Sequence, residues 1–385
     1  MDKPKKARVT FLFPVAIALI LFVFSCSRDV PTPAAPAGNQ AAPAAARPVS
    51  EWDRALDGAK KEGRVVVYGA FGLAQARDPL IKAFKEKFGV ELEMTIARGP
   101  ELTTKLINER RAGLYLADVY IGGAQSIFYD LITRDMLDPI EPYLILPENR
   151  DPAAWMGGSL PLWESKRAAL ASLANITSYM AINNTLIKQE ELTSYRDLLQ
   201  PRLKGKIVMA DPTTPGAGRS WITSAIDFMG TEYVKEFIKQ EPVLTRDFRL
   251  PTEWLVRGKS TVGLGVDSGG IRSAIRDGAP LSMLPILKEG VVVGAGGGQV
   301  AVVNQHPHTN GTLVFTNWIL SKDGQTLLSK TIGMASRRVD VPTDHLEASM
   351  KPGQNAKLVW ESEEYIRGED KKMEFSREVF APLLK

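Results

Sequence analysis

The residues best suited to holding a ligand are Thr213-Thr214-Pro215-Gly216-Ala217-Gly218-Arg219. They sit between a strand-like run, Ile207 to Met209, and a run at helical spacing, Trp221, Ile222, Ala225, Ile226 and Met229, which Gly230 is placed to stop. Small residues let backbone approach a ligand, and the first amides of a helix have no partner within it. The chemistry is capture of an anion or a polar oxygen, with Arg219 adding a planar two-pronged donor. An ordinary strand-to-helix connection has the same composition, so the rest of the chain must decide.

Other candidates also follow strand-like runs. Ala70 and Phe71 lie in the loop after Val65 to Tyr68, and Arg98 and Gly99 come after the alternating stretch Glu91 to Ile96. Gly122 and Gly123 end the run Ala117 to Ile121, and Asp267 and Ser268 end Val262 to Val266, with Arg272 one helical turn further on. Asn175 and Thr177 lie on an extended stretch, Leu173 to Ile182. Glu101, in the first turn after Pro100, suits the helix dipole better than a ligand.

Several sharper chemistries are set aside. Asp267-Ser268-Gly269-Gly270 has the look of a serine-protease turn, yet all three histidines lie downstream and no all-β pattern accompanies it. His306 and His308 have no carboxylate near them in sequence and read as surface residues. Gly294-Ala295-Gly296-Gly297-Gly298 lacks the Walker spacing and its lysine. No metal and no cofactor are expected.

Composition sets the frame. The 385 residues are 44% hydrophobic and 24% charged, as in a soluble globular protein large enough for two lobes. The sequence pI of 8.9 comes largely from the start of the chain. Lys3, Lys5, Lys6 and Arg8 against Asp2 account for +3 of the formal +4, leaving +1 from Cys26 onward and no basis for nucleic-acid binding. Residues 1–25 read as a lipoprotein signal, with a basic start and an apolar run from Phe11 to Phe24, shorter than the roughly 20 residues of a spanning helix. The small residue Ser25 precedes Cys26, the single cysteine and the expected lipidation site. Residues 26–50, rich in Pro and Ala, form an expected tether. Its Pro- and Ala-rich part from Val30 to Ser50, about 20 residues at roughly 3 Å each, would reach about 60 Å from a membrane.

From Ser50 onward, strand-like and helical patterns alternate, which argues for largely parallel sheets with ligands at the strands' carboxyl ends. Leu173 to Ile182 has the character of a strand crossing between lobes, and Lys357 to Phe380 reads as an amphipathic stretch on the outside.

Five motifs in order resemble a bacterial solute-binding protein of an ABC importer. They are EWDRALDGAKKEGRVVVYGAF, LADVYIGGA, KGKIVMADPTTPGAGRSW, HPHTNGTLVFTNWILSKDGQTLLSK and SRRVDVPTDHL. The chain is most similar to the ferric-ion-type cluster, and the resemblance covers roughly residues 51 to 346. It implies an α/β, two-lobed periplasmic-binding fold of type II with crossing hinge strands. Lobe 1 is expected to be 51–172 plus 292–336, and lobe 2 173–291 plus 337–385. It also implies a monomer outside the cytoplasm, in the periplasm or on the outer face of the membrane, which binds a small solute, docks to a permease and performs no catalysis. Ferric members of the cluster typically hold the metal with two adjacent tyrosines after the strand matching Val262 to Val266. Here that place reads Asp267-Ser268-Gly269-Gly270, and Asp267 alone supplies an anionic oxygen. Arg98, Arg219 and Arg272 fit a small organic or phosphorylated anion better. A ferric binder using Asp267 with an exogenous anion, or an extracytoplasmic enzyme on the same fold, are the alternatives.

Overall fold

The structure is a computed structural model. It describes residues 49–384 apart from Ser178, Pro215, Phe248, Pro285, 348–349 and 352–356. Cys26, the signal and nearly all of the tether lie outside the described residues.

In chain order the strands begin with β1 (Arg64–Ala70), β2 (Glu91–Ala97), β3 (Val119–Gly122), β4 (Leu137–Asp138) and β5 (Ala169–Ala171). Then come β6 (Leu173–Ile176), β7 (Met180–Asn183), β8 (Ile207–Ala210), β9 (Val243–Thr245) and β10 (Val262–Leu264). The last are β11 (Leu281–Met283), β12 (Val291–Gly294), β13 (Gln299–Val303), β14 (Ala335–Ser336) and β15 (Leu358–Trp360). The helices used below are α1 (Glu51–Glu62), α2 (Arg77–Phe88), α3 (Gly99–Arg111), α4 (Pro147–Arg150) and α5 (Ala217–Ile238). They continue with α6 (Leu250–Val256), α7 (Ser268–Arg276), α8 (Thr309–Leu320), α9 (Lys322–Ile332) and α10 (Glu363–Phe380). No helix among the described residues is long and apolar enough to cross a membrane.

The helices start and stop for local reasons. Ser50 Oγ accepts the Asp53 amide at 3.1 Å, while the Asp53 carboxylate accepts the Ser50 amide at 3.3 Å. Gly63 ends α1 at φ 79°, a conformation that favours glycine. Gly230, at φ 80° and ψ 170°, breaks α5 into two helical segments, as its position after Met229 predicts.

Three sheets result. The first has the order β2-β1-β3-β13-β4, with β5 also pairing β13. Its β1 is parallel to β2 and β3, and β13 is antiparallel to β3. Both faces are covered, which explains the near-continuous apolar runs. Val65, Val67, Val119, Ile121, Val300 and Val302 face one core, and Tyr68, Tyr120, Ala301 and Val303 face the other. On the first face Phe84 of α2 meets Phe315 and Trp318 of α8 at ring separations of 5.6 and 5.3 Å. Each such buried aromatic ring contributes about 1.5–3 kcal/mol.

The second sheet is β11-β7-β10-β8-β9, with β10, β8 and β9 parallel. The third, β14-β6-β12-β15, is the crossover. The chain leaves the first sheet at β5, runs through β6, and after Thr177 to Tyr179 enters the second sheet as β7. It returns through β11 and β12 to β13, with β12 antiparallel to β6. Leu173 to Ile182 is therefore two strands in two sheets, in keeping with its expected crossing role.

The C-terminal stretch departs from expectation. It is not a surface appendage, because α10 buries Ile366 in the first sheet's core and Phe380 in the second's. The histidines need correcting too. The His308 side chain is only 13% exposed, with Nδ1 2.8 Å from a fully buried Asp118 oxygen. Its Nε2 accepts from Arg64 Nε at 3.3 Å, so the ring holds its proton on Nδ1. Asp118 also accepts the Val66 and His308 amides, fixing β1, β3 and the start of α8 together. His306 is half-buried against Tyr143, and burial lowers its pKa.

Candidate functional site

Two connections leave the second sheet side by side, because β8 and β10 are parallel neighbours. The loop after β8 begins with Asp211, which accepts the Thr213 amide and hydroxyl at 2.8 and 2.6 Å and Arg246 Nε at 3.1 Å. The Thr213 hydroxyl is thus engaged by its own turn, and Thr214 is exposed. Gly216 precedes α5 at φ 147°, a conformation open to glycine, and no side chain caps the helix. A Cβ on Gly218 would stand 2.2 Å from the Ala210 carbonyl oxygen, so only glycine lets α5 begin this close to β8. A Cβ on Gly265, just after β10, would stand 2.7 Å from the Ala217 and Gly218 backbone.

After β10, Asp267 caps α7 by accepting the Gly269 and Gly270 amides at 3.1 and 3.0 Å. Its carboxylate is committed to the helix and not presented as a ligand. Ser268 and Arg272 lie beside Tyr179, whose hydroxyl donates to Asn175 Oδ1 at 2.7 Å. Burial pushes the Tyr179 phenol up to about 12, opposed by the Arg272 charge and the Ser268 hydroxyl. Sequence reasoning passed over Tyr179 as a site residue. The signal was alternation, which sets 175, 177 and 179 on one face of an extended chain. Arg272 is half-buried; its one side-chain bond among the described residues runs from Nη1 to Met350 Sδ at 3.4 Å.

The other lobe-facing residues meet these through the Gly294 to Gly298 turn. Asn175 packs against Gly296, and Thr177 against Gly294. A Cβ on Gly123 would lie 3.7 Å from the Gly296 carbonyl oxygen, and the Ala70 methyl is 3.6 Å from the same construction on Gly297. Ala70, Gly123, Asn175, Thr177, Ser268 and Arg272 therefore surround one crossover, with Ala217 and Gly218 adjoining through Gly265. Gly122 and Gly99 serve packing: the Tyr120 ring and Ser126 Oγ occupy the space a side chain would need. Phe71 is 67% exposed and Arg98 is exposed, with the Arg98 amide donating to Glu101 as the helix-cap reading of Glu101 predicts.

Arg219 differs most from expectation. Its Nη2 pairs with Glu369 Oε2 at 2.7 Å, the two side chains being 12% and 8% exposed. Gln125, two residues past Gly123, donates to the same oxygen at 3.3 Å. Glu369 on α10 thus links the loops after β3 and β8 and commits Arg219 Nη2, while the buried Arg219 Nε has no partner among the described residues. Burial raises the Glu369 carboxyl, opposed by Arg219. Next to it Glu361 is pushed up to about 7 by burial and by Glu369, and held back by Arg337 and the Ala295 amide. These two carboxylates gave no sequence signal. Among the described residues no three His, Cys, Asp or Glu side chains stand together to hold a metal.

Residues 79–353 match the family model described as bacterial extracellular solute-binding protein. An uncharacterized protein of Haemophilus influenzae is 25% identical over 333 residues, spanning 82% of this chain and 89% of its own length. Among solved structures, Trichodesmium IdiA (FutA) in complex with iron and citrate has a TM-score of 0.63 at 20% identity. It covers 82% of this chain and 99% of that one. Fructose-6-phosphate-bound AfuA of Actinobacillus pleuropneumoniae has a TM-score of 0.53 at 21% identity, covering 83% and 98%. The structural likenesses bear out the two-lobed α/β fold that the motifs imply.

Proposed function

The chain belongs to the bacterial extracellular solute-binding protein family, and from that premise we propose that it captures a small anionic solute at the crossover and hands it to an ABC permease. The observation that carries the anionic reading is Arg272, half-buried beside Asn175, Tyr179 and Ser268 and without a carboxylate partner among the described residues. The uncapped start of α5 adds main-chain donors to that side. Micromolar affinity corresponds to about −8 kcal/mol. Hydrogen bonds to a charged group contribute about 1.5–3 kcal/mol each. Three amides and one arginine therefore reach the range before ordering costs.

The fructose-6-phosphate-bound relative supports a phosphorylated or similar anion. The iron- and citrate-bound relative favours a ferric reading. Against that, the Asp267 carboxylate is spent on α7, and Tyr179 is a single phenol that burial keeps protonated. The family is one of solute-binding proteins, and Ser268 is given no catalytic role. In this reading residues 51–172 plus 292–336 and 173–291 plus 337–385 are the two lobes, and Cys26 anchors the protein outside the cytoplasm.

The full chain is to be titrated with inorganic phosphate, fructose 6-phosphate, citrate and ferric citrate, following tryptophan fluorescence. One anion should bind saturably, and Arg272→Ala should weaken it about 10- to 100-fold. No response to any of them, or an affinity unchanged by Arg272→Ala, overturns the anionic reading. A visible charge-transfer band with ferric citrate would transfer it to iron. For the anchor, Cys26→Ser should move the protein from the membrane to the soluble fraction.

A further inference from the structure

A cavity of 420 Å³ opens beside the crossover sheet, and none of the candidate solute residues line it. That volume lies within the range of small-molecule sites, about 300–1,000 Å³. Its principal polar feature is Arg337, which follows β14 directly and is 6% exposed. The Trp360 ring covers the guanidinium face at 4.3 Å. Nε and Nη2, the two nitrogens of the side-on edge, have no hydrogen-bond partner among the described residues.

The next residue shows how this fold satisfies a buried arginine. Arg338 is 3% exposed, and its Nε and Nη2 bond both oxygens of Asp340 at 2.9 and 2.8 Å. Its Nη1 adds the Glu148 carbonyl and Asn149 Oδ1. The same two nitrogens of Arg337 have no such partner among the described residues. A buried guanidinium left without a partner is costly, and a planar carboxylate in the fork removes that cost. Burial lowers the Arg337 pKa to about 10, eased by the Glu361 charge.

The remaining walls define the rest of the occupant. Met156, Leu160, Leu162 and Trp163 are apolar. Three glutamates also line the cavity. Glu363 is engaged by the Ser165 amide at 2.6 Å and by its hydroxyl, and Glu361 takes the Ala295 amide and feels the Arg337 charge, which leaves the exposed Glu164 as the uncommitted carboxylate of the wall among the described residues. A simple anion would meet these carboxylates as like charges, while a zwitterion matches both signs.

We propose that this cavity is a second binding site, for a small apolar α-amino acid. Its carboxylate lies in the side-on fork of Arg337, its ammonium faces the glutamate wall, and its side chain rests on Met156, Leu160 and Leu162. Because Arg337 follows β14 and Trp360 ends β15, the occupant touches both outer strands of the crossover sheet.

The test is calorimetric titration of the full chain with valine, leucine and phenylalanine, alongside isovalerate and isoamylamine as single-charge probes. At least one amino acid should bind saturably, at least about tenfold tighter than either probe. Arg337→Lys, which keeps the charge and loses the fork, should weaken it about tenfold or more. If Arg337→Lys does not fold by circular dichroism, Leu160→Trp, which fills the cavity from a half-buried wall position, should abolish binding. The proposal is overturned if no amino acid binds, if isovalerate binds as tightly, or if the folded variant leaves the affinity unchanged.

Discussion

The starts of α5 and α7 occupy equivalent places, after parallel neighbouring strands of one sheet, and differ in two opposite respects. At α5 the main-chain donors are open, because Gly216 has no side chain to cap them, while Arg219 is bound to Glu369. At α7 Asp267 consumes the first amides, while among the described residues Arg272 has only a thioether partner. One connection offers backbone and withholds its cation, and the other does the reverse. Position at a strand's carboxyl end does not make a helix start available. A single residue at the N-cap decides that for the backbone, and a residue far along the chain decides it for the arginine.

The contrast can be broken from either side. Glu369→Gln frees Arg219 but leaves it buried without its counter-charge, and removing one partner of such a pair costs about 3–5 kcal/mol. Urea unfolding should show that loss, and anion affinity should rise as the second arginine becomes available. Glu361 stands behind the α5 side, with a carboxyl pushed from 4.5 to about 7. The folded protein therefore binds a proton there that the unfolded chain has released, so stability falls as pH rises from about 4.5 through about 7. Its amplitude is up to about 3 kcal/mol. Glu361→Gln should flatten that part of the stability profile between pH 5 and 8 and make the protein more stable than wild type at pH 8. Gly218→Ala forces a methyl toward the Ala210 carbonyl and should cost about 1–3 kcal/mol. Thermal unfolding will measure that cost, and solute titration should register a displaced α5 start. Asp267→Ala should cost about 1 kcal/mol by uncapping α7. It also opens that helix start, so anion affinity should hold or increase while the melting temperature drops.

Much of the frame was legible because its causes are local. Ser50 with Asp53, Gly63 and Gly230 set boundaries through their own backbone chemistry, and the runs at Val65 and Ile207 announced strands covered on both faces. The loop glycines near β8 were legible for the same reason, since close approach leaves only one residue type. The partners were not. Glu369 lies 150 residues beyond Arg219, and Asp118 190 residues before His308, and no periodicity links such pairs. Lys357 to Phe380 looked like a solvated face because its charges outnumber its apolar residues. Whether a given glutamate there is buried depends on what the fold brings against it. The division of Leu173 to Ile182 between two sheets was hidden because both halves are equally extended.

The helix that seats Ile366 in one core and Phe380 in the other also carries Glu369, which accepts from both Arg219 and Gln125. Loosening α10 therefore releases the loops after β3 and β8 together, so amide exchange should report the three segments opening as one cooperative event.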